Sequence, residues 1–353
     1  MRPTLSEQIA ETLRGELKDG CWPSGAPLPA VDRLRVRFGA GEYAVRMALK
    51  RLREEGLVAI RQNVGTVATE KVSQAWRGNV AFVCVGACGS YFDQMLAQQL
   101  TWRFEAAGWR TSTIRFAVQR DGSIDLSLLA RHLANGLDFV VGLFARAQIA
   151  ELLDRANVPY VVLNGFTRDF PNARAVIRES GPAGYNELIQ ALKRRKVRTL
   201  LEFDFERMMD RSFKKQLFDA NISVRRIMHS FKGIKRFNLG VVREHGYRTV
   251  AEFFADARNR QNLPDAILFD DDYFAAGGIV ALLEAGIRIP EDVGVVSYIN
   301  SGNELTLGKK ITGIGLDPVV YGDAVASYVL ELLAGHRVSP PRPSLQFFHG
   351  ESL

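Results

Sequence analysis

The chain has 353 residues, of which 47% are hydrophobic and 24% charged, and its formal net charge is +7. The chain is longer than one that ordinarily folds around a single core, so two or three compact units are expected. The composition excludes a disordered chain. The first residues contain no apolar block and no run approaches a membrane span, so we expect a cytoplasmic protein without a membrane partner.

The first 70 residues predict three helices followed by a hairpin. Thr4 and Glu7 fit a capping box, and apolar residues then recur every four positions until Gly20. A turn-rich segment leads to a short second helix that ends at Gly39. A third helix precedes "LVAIRQNVGTVAT", which reads as two short strands around a turn at residues 63–65. This is the outline of a winged helix-turn-helix over residues 1–70, with 71–78 as a linker.

The third helix has one apolar face and one basic face. From Arg33 to Arg61 the chain carries eight basic residues against three acidic ones. A helix in the major groove needs cations that contact the phosphates and side chains that reach the edges of the DNA bases. Arg46 is our candidate for the contact to a base edge. The residues expected to contact DNA are Arg33, Arg35, Tyr43, Arg46, Lys50, Arg53, Arg61, Gln62, Asn63, Gly65 and Thr66. The alternative is a solvated helix face whose charges are paired internally.

Beyond residue 78 the pattern changes to continuous apolar runs that alternate with helical segments. Such runs are typical of parallel strands covered on both faces, and about ten units predict two α/β lobes. The runs are "NVAFVCV", "DFVVGLF", "PYVVL", "RTLLEF", "DAILF" and "DVGVVSY".

The N-terminal segments "LSEQIAETLRGELKDGCWPSGAPLP", "AVRMALKRLREEGLV" and "RQNVGTV" resemble the GntR-type winged-helix domain of bacterial transcription regulators. In that family the recognition helix opens with Ser-Arg-x-Thr-Val-Arg, whereas residues 41–46 here are "GEYAVR". The family's Ser-Glu-Arg after Leu-Pro is replaced by residues 30–32, "AVD". The resemblance therefore implies a DNA-binding domain with an altered operator or a weakened affinity.

Residues 79–353 resemble the LacI/GalR-type regulatory domain, a two-lobed fold shared with periplasmic sugar-binding proteins. The resemblance rests on "GSYF", "LFDDDYFAAGGIVALLEAGIRIPEDVGVVSY" and "TGIGLDPVVYGDAVASYVLELL". It implies parallel sheets, dimerisation, a hinge near residues 164–166, 299–301 and 316–318, and an effector held between the lobes. The residues that it places at the effector are Ser90, Tyr91, Phe92, Asp93, Asn164, Asp271, Asp272 and Asn300.

Two departures from that family alter the expected effector site. A family arginine is replaced by Met209, and we name Arg207 and Arg211 as possible substitutes. A family aspartate is replaced by Ile299. Fewer fixed hydrogen bonds for hydroxyl groups leave open an effector that is less polar than a typical sugar, or no effector at all.

A basic segment from Lys193 to Arg236 has no counterpart in the resemblance. It carries fourteen basic residues against five acidic ones. A solvated surface is the default interpretation, and an anionic effector is the alternative.

We therefore predict an effector-responsive transcription regulator, a repressor rather than an enzyme, that binds double-stranded DNA as a homodimer and needs no cofactor or metal. The effector is expected to be a sugar or sugar derivative. Two other classes stay open. One is a metal-dependent hydrolase or phosphatase that uses Asp270, Asp271 and Asp272, although these residues can also cap the helix that follows. The other is a solute-binding protein.

Overall fold

The computed structural model describes residues 3–62, 64–71, 76–85, 89–116, 123–143, 146–165, 167–179, 183–204, 211–230, 238–303 and 307–353. The chain divides into two compact units. The first comprises Met1–Asn79 with Glu105–Arg110, and the second comprises Val80–Phe104 with Thr111–Leu353. Among the helices of the described ranges, none is long and apolar enough to cross a bilayer.

The first unit contains the predicted three helices and hairpin. Thr4 and Glu7 form the predicted capping box, in which the Thr4 amide donates to Glu7 Oε2 at 2.8 Å. The second helix ends at Gly39, which adopts a left-handed φ of 57°. The elements are α1 (Leu5–Lys18), α2 (Val31–Phe38), α3 (Glu42–Glu54), β1 (Val58–Arg61) and β2 (Gly65–Ala68).

The core of this unit comes from one face of each helix. In α3 the buried residues are Val45, Ala48, Leu49 and Leu52, which form the predicted apolar face. They pack with the buried faces of α1 and α2. Burial of this face leaves the opposite face of α3 to solvent.

The hairpin gains a third paired segment from the turn between α1 and α2. Strands β1 and β2 are antiparallel, and the Leu28 amide donates to the Thr66 carbonyl at 2.8 Å. The Gly25 amide likewise donates to the Ala68 carbonyl at 2.9 Å. These bonds fix the wing against the helices, as a winged helix-turn-helix requires.

The second unit is built on two mainly parallel sheets. In the first sheet the order is β4-β3-β5-β6-β7, and β3, β5, β6 and β7 run parallel. Its strands are β3 (Asn79–Val85), β4 (Arg110–Phe116), β5 (Phe139–Leu143), β6 (Tyr160–Leu163) and β7 (Ala175–Ile177). The helices that follow these strands are α4 (Tyr91–Ala106), α5 (Ser127–Ala134), α6 (Ala147–Arg155) and α7 (Ala183–Arg194), with a short 3-10 turn at Thr167–Asp169.

The second sheet has the order β13-β12-β11-β10-β8-β9 and is parallel except for β13. Its strands are β8 (Thr199–Asp204), β9 (Ser223–Met228), β10 (Ala266–Phe269), β11 (Gly294–Tyr298), β12 (Thr312–Gly315) and β13 (Gln346–Phe348). The associated helices are α8 (Arg211–Asp219), α9 (Leu239–Ala255), α10 (Ala257–Gln261), α11 (Asp272–Glu284) and α12 (Pro318–Leu333).

Helices α9 and α11 cross unusually closely. A Cβ added at Gly277 would lie 1.8 Å from the Arg243 carbonyl oxygen, and one at Gly246 would lie 2.1 Å from the Phe274 carbonyl oxygen. Only glycine, which has no Cβ, allows the two helix backbones to come this close together. Both helices begin next to the carboxyl ends of the second sheet, so their starting residues are held together there.

The predicted fold, an α/β chain with a winged helix-turn-helix followed by a two-sheet domain, is confirmed. The boundaries at residues 70 and 78 and the hinge positions stay predictions.

Candidate functional site

One cavity of about 280 Å³ lies at the carboxyl ends of strands from both sheets of the second unit. Val85 ends β3, Asn164 follows β6, Asp270 follows β10, and Leu316 follows β12. Carboxyl ends of parallel strands are where ligands bind in open α/β folds. Seven of the ten predicted effector residues line this cavity, namely Ser90, Phe92, Asp93, Asn164, Asp271, Asp272 and Asn300.

The other three predicted effector residues are not in the described lining. The Tyr91 amide donates to the Tyr273 hydroxyl at 3.0 Å, and the Tyr91 hydroxyl lies against Gly302. Arg207 lies outside the described residues, and Arg211 begins α8 with a side chain that is not described.

Several lining residues were not predicted from the sequence. Glu179 comes two residues after β7, and His229 comes directly after β9. β7 has only three residues and β9 contains two arginines, so no long apolar run marks the point where either strand ends. Tyr273 and Tyr298 line the cavity from α11 and β11, which were predicted, but no motif singled out these two side chains.

The three consecutive aspartates have different partners. Asp271 caps α11, because its Oδ1 accepts a hydrogen bond of 2.8 Å from the Phe274 amide. Asp272 is buried, and its Oδ2 accepts from Asn303 Nδ2 at 2.7 Å. Asp270 Oδ1 lies 3.5 Å from His229 Nε2.

Burial in the cavity wall raises the pKa of Asp272 to about 7, and the neighbouring Asp271 charge adds to this effect. Burial also raises the pKa of Asp93, against the opposing hydrogen bonds from Ser90. A group that is partly protonated near neutral pH can act both as a donor and as an acceptor towards a ligand.

His229 is held in the wall by ring stacking. Its ring lies 4.0 Å from that of Phe274, centroid to centroid, with an angle of 15° between the planes. The His245 ring is 5.3 Å away, and burial followed by the charge of His229 lowers the pKa of His245. On another wall, Phe92 stacks on Tyr321 with centroids 6.1 Å apart.

The described lining is acidic. It contains five carboxylates and no lysine or arginine: the acids are Asp93, Glu179, Asp270, Asp271 and Asp272. Carboxylates accept hydrogen bonds, so this wall favours a ligand rich in donors such as hydroxyl or amino groups. Ile299, where the resembling family has an aspartate, lines the same cavity as a buried apolar residue.

Two cations of the described part of the basic segment pair with acids that are not in the cavity lining. Arg226 Nε lies 2.7 Å from the buried Glu202 Oε2 and 3.4 Å from Asp204 Oδ2. Lys215 Nζ lies 2.6 Å from Asp219 Oδ2. These cations of the segment therefore neutralise neighbouring acids.

No metal site is apparent among the described residues, where no group of three or more His, Cys, Asp or Glu side chains converges as ligands.

In the first unit, most of the predicted DNA-contacting residues are exposed. Tyr43 is 79% exposed on α3. Arg46 Nε lies 2.7 Å from Glu42 Oε1, and Lys50 Nζ lies 3.8 Å from Glu54 Oε1. The remaining predicted residues that are exposed are Arg33, Arg35, Arg53, Arg61, Gln62 and Gly65, whereas Thr66 is half-buried.

Much of the positive charge of this unit is paired internally. Arg35 pairs with Asp32, and Arg51 pairs with Glu7 of α1. Within the described ranges, Arg33, Arg53 and Arg61 form no ion pair. Asn63, predicted at the hairpin tip, lies outside the described residues.

Two family models match the chain. Residues 5–67 match the model for bacterial regulatory proteins of the gntR family, and residues 207–352 match the periplasmic binding protein-like domain.

Similar curated proteins carry regulator names. The uncharacterized HTH-type transcriptional regulator Rv0494 of Mycobacterium tuberculosis is 33% identical over 69 residues, 20% of this chain and 28% of that protein. The HTH-type transcriptional repressor PurR of Yersinia enterocolitica is 23% identical over 223 residues, 61% of each chain. The chain thus spans less than two thirds of the length of either relative.

Solved structures show the same fold. The lac repressor dimer bound to operator and the anti-inducer ONPF matches with a TM-score of 0.60 and 16% identity, over 77% of this chain and 93% of that one. A LacI family regulator from Arthrobacter sp. FB24 in complex with lactose matches with a TM-score of 0.59 and 19% identity, over 78% and 99%. Residues 5–67 are therefore similar to gntR-family regulators, residues 207–352 are similar to the periplasmic binding protein-like domain, and the second unit shares its fold with LacI-family regulators.

Proposed function

We propose that this protein is a sequence-specific DNA-binding transcription regulator, acting as a repressor and controlled by a small-molecule effector. The observation that carries the proposal is the exposed face of α3 with Tyr43, Arg46 and Lys50, on a domain of the GntR family. Such a face can enter a major groove while the buried face keeps the helix on its domain.

The effector is proposed to be a sugar or sugar derivative in the cavity at the sheet ends. The carboxylates of Asp93, Asp271 and Asp272 would accept hydrogen bonds from hydroxyl groups, and Phe92 offers an apolar face. The related Arthrobacter structure holds lactose. An anionic effector, the other expectation, would need positive charge that the described lining lacks.

We propose a homodimer as the active form, because the similar lac repressor structure is a dimer on its operator. The two N-terminal DNA-binding domains of the dimer, here called the heads, would then bind two half-sites separated by one or more turns of the DNA helix. The effector would close the two sheets on each other and alter the spacing of the heads. The DNA-binding domain would comprise residues 1–70, the linker residues 71–78 and the effector domain residues 79–353. The hinge of the effector domain would lie near residues 164–166, 299–301 and 316–318.

The two rival classes receive less support. A hydrolase would need the aspartates to act together, whereas Asp271 caps α11 and Asp272 accepts from Asn303. A solute-binding protein would have no use for a helix-turn-helix domain. We therefore propose that the protein is not an enzyme.

The test combines both domains in one binding assay. The full chain is used to select duplexes from a random-sequence pool, and retardation of the selected duplex is measured at about 50 and 200 mM salt. Pentoses, hexoses and sugar phosphates are then added one at a time. We expect salt-sensitive retardation that one neutral sugar abolishes.

A matched variant separates the two sites. Asn300→Ala removes an amide from the cavity and should weaken the response to the sugar while DNA binding is retained. Failure of the wild-type chain to retain any duplex at low salt would refute the regulator. Turnover of a phosphate or glycoside substrate would favour the hydrolase instead.

A further inference from the structure

We propose that Glu42 is a positioning residue for Arg46, and that the two side chains together read one guanine in each operator half-site. The inference rests on the proposed function and adds a specificity determinant to it. It comes from a residue that departs from the GntR motif Ser-Arg-x-Thr-Val-Arg, whose second residue is an arginine where this chain has Glu42.

The geometry joins the two side chains on the exposed face of α3. Glu42 is the first residue of the helix, and Arg46 lies one turn later. Glu42 Oε1 accepts from Arg46 Nε at 2.7 Å, and the side chains are 51% and 67% exposed. The N-cap position is occupied by Gly41, which has no side chain, and Glu42 is the acidic residue of the first turn.

The contact leaves the end of the guanidinium available. Within the described residues, Arg46 makes no other hydrogen bond or ion pair. With Nε held by Glu42, the two terminal nitrogens Nη1 and Nη2 remain as a planar pair of donors. Guanine presents two acceptors, O6 and N7, to the major groove, and this pair of donors matches them.

Holding Arg46 before DNA arrives should strengthen the base contact. A free arginine side chain loses rotamer freedom when it is fixed on a base, and a side chain that is already restrained loses less. The pair itself is too exposed to contribute much to folding. Its effect should therefore appear in DNA recognition rather than in stability.

The carboxylate has a second effect. A negative charge at the start of α3 repels the phosphate backbone, which attracts proteins regardless of sequence. Glu42 should therefore lower the affinity for unrelated DNA while it favours the guanine contact. Both effects increase the ratio of specific to unspecific binding.

The test compares four full-length proteins: the wild type, Glu42→Ala, Glu42→Gln and Glu54→Ala. Glu54 is the matched control, because it pairs with Lys50 at 3.8 Å with the same spacing on the same helix. Each protein is titrated by fluorescence anisotropy with the duplex selected by the wild type, its single-base variants and one unrelated duplex. Thermal unfolding checks that all four are folded.

The wild type should prefer guanine at one position of each half-site by roughly tenfold or more, as expected for a bidentate contact. Glu42→Ala should lose most of that preference and bind the unrelated duplex more tightly. Glu42→Gln keeps an oxygen that accepts from Arg46 Nε, so it should keep much of the guanine preference. It lacks the negative charge, so it should bind the unrelated duplex more tightly than the wild type does. Glu54→Ala should leave the base preference unchanged.

The inference is overturned when Glu42→Ala keeps the wild-type base preference. It is also overturned when Glu54→Ala loses that preference as strongly, since the effect would then be one of charge alone. A wild type that selects no duplex refutes the proposed function itself. This failure is distinct from the two outcomes above, because both of them require a wild type that binds a selected duplex.

Discussion

The backbone amide of Tyr91 donates a hydrogen bond of 3.0 Å to the hydroxyl oxygen of Tyr273. Tyr91 begins α4, which follows the first sheet's β3, and Tyr273 lies in the first turn of α11, which follows the second sheet's β10. The contact therefore joins the two sheets beside the cavity. The Arg243 guanidinium lies 5.3 Å from the Tyr273 ring centroid and restrains it further.

We expect Tyr273→Phe to lower the stability of the second unit. The change removes the acceptor for the Tyr91 amide and leaves the ring in place, so the loss should be about 1 kcal/mol. Thermal unfolding measures the loss, and hydrogen exchange at the Tyr91 amide should become faster. Tyr247→Phe is the control, because its hydroxyl bonds Glu284 on the surface. Equal effects of the two substitutions would argue against a bond between the sheets.

Two helical glycines should respond to alanine with opposite signs. At Gly277 the added Cβ would lie 1.8 Å from the Arg243 carbonyl oxygen, so α9 and α11 would have to separate at a cost of about 1–3 kcal/mol or more. At Gly15 in α1 nothing lies within 4 Å, and alanine should stabilise the helix by up to about 1 kcal/mol. Denaturant unfolding of both variants measures the difference. A neutral Gly277→Ala would show that the helices can part freely.

The sequence predicts the inner strands of both sheets and misses the outer ones. The runs "NVAFVCV", "PYVVL" and "DAILF" are buried on both faces, which is why each is continuously apolar. The strands that no apolar run marked are β4, β7, β9, β12 and β13. All of them except β12 lie at a sheet edge, and β12 was expected only from the family resemblance of its segment. Edge strands are partly exposed, as the exposed positions of β9 show, so their composition is mixed.

The same reason explains which site residues could be predicted. Asp271, Asp272 and Asn300 follow inner strands or belong to a recognisable motif, and all line the cavity. Glu179 and His229 follow edge strands and were missed. Ion pairs such as Glu42 with Arg46 depend on rotamers, and a sequence shows only that the spacing allows them.

Asp272 should make stability fall as the pH rises. Its folded pKa of about 7 lies above the ordinary value, so the folded state holds this proton more tightly than the unfolded state does. The stabilisation is present at low pH and disappears as the pH rises towards and through 7. Asp272→Asn should therefore raise the unfolding midpoint relative to the wild type at about pH 8 but much less at about pH 5.

The control for this pH effect is Asp292→Asn. A hydrogen bond from Arg288 lowers the pKa of Asp292 to about 2, so its titration lies below this range. The variant should be destabilised equally at both pH values. A wild type and Asp272→Asn with parallel pH profiles would contradict a raised pKa for Asp272.

The unpaired cations of the first unit should determine how strongly DNA binding depends on salt. Arg53 and Arg61 form no ion pair within the described residues, whereas Arg51 contacts Glu7 at 3.2 Å. Removing one cation that binds a phosphate should reduce the slope of log K against log salt by about 0.9. We expect Arg53→Ala and Arg61→Ala each to show this change on an unrelated duplex, and Arg51→Ala to show much less. Equal slopes of log K against log salt for the three variants would mean that the internal ion pairs open when DNA binds. Ion pairing in the free protein would then not determine which cations contact the phosphates.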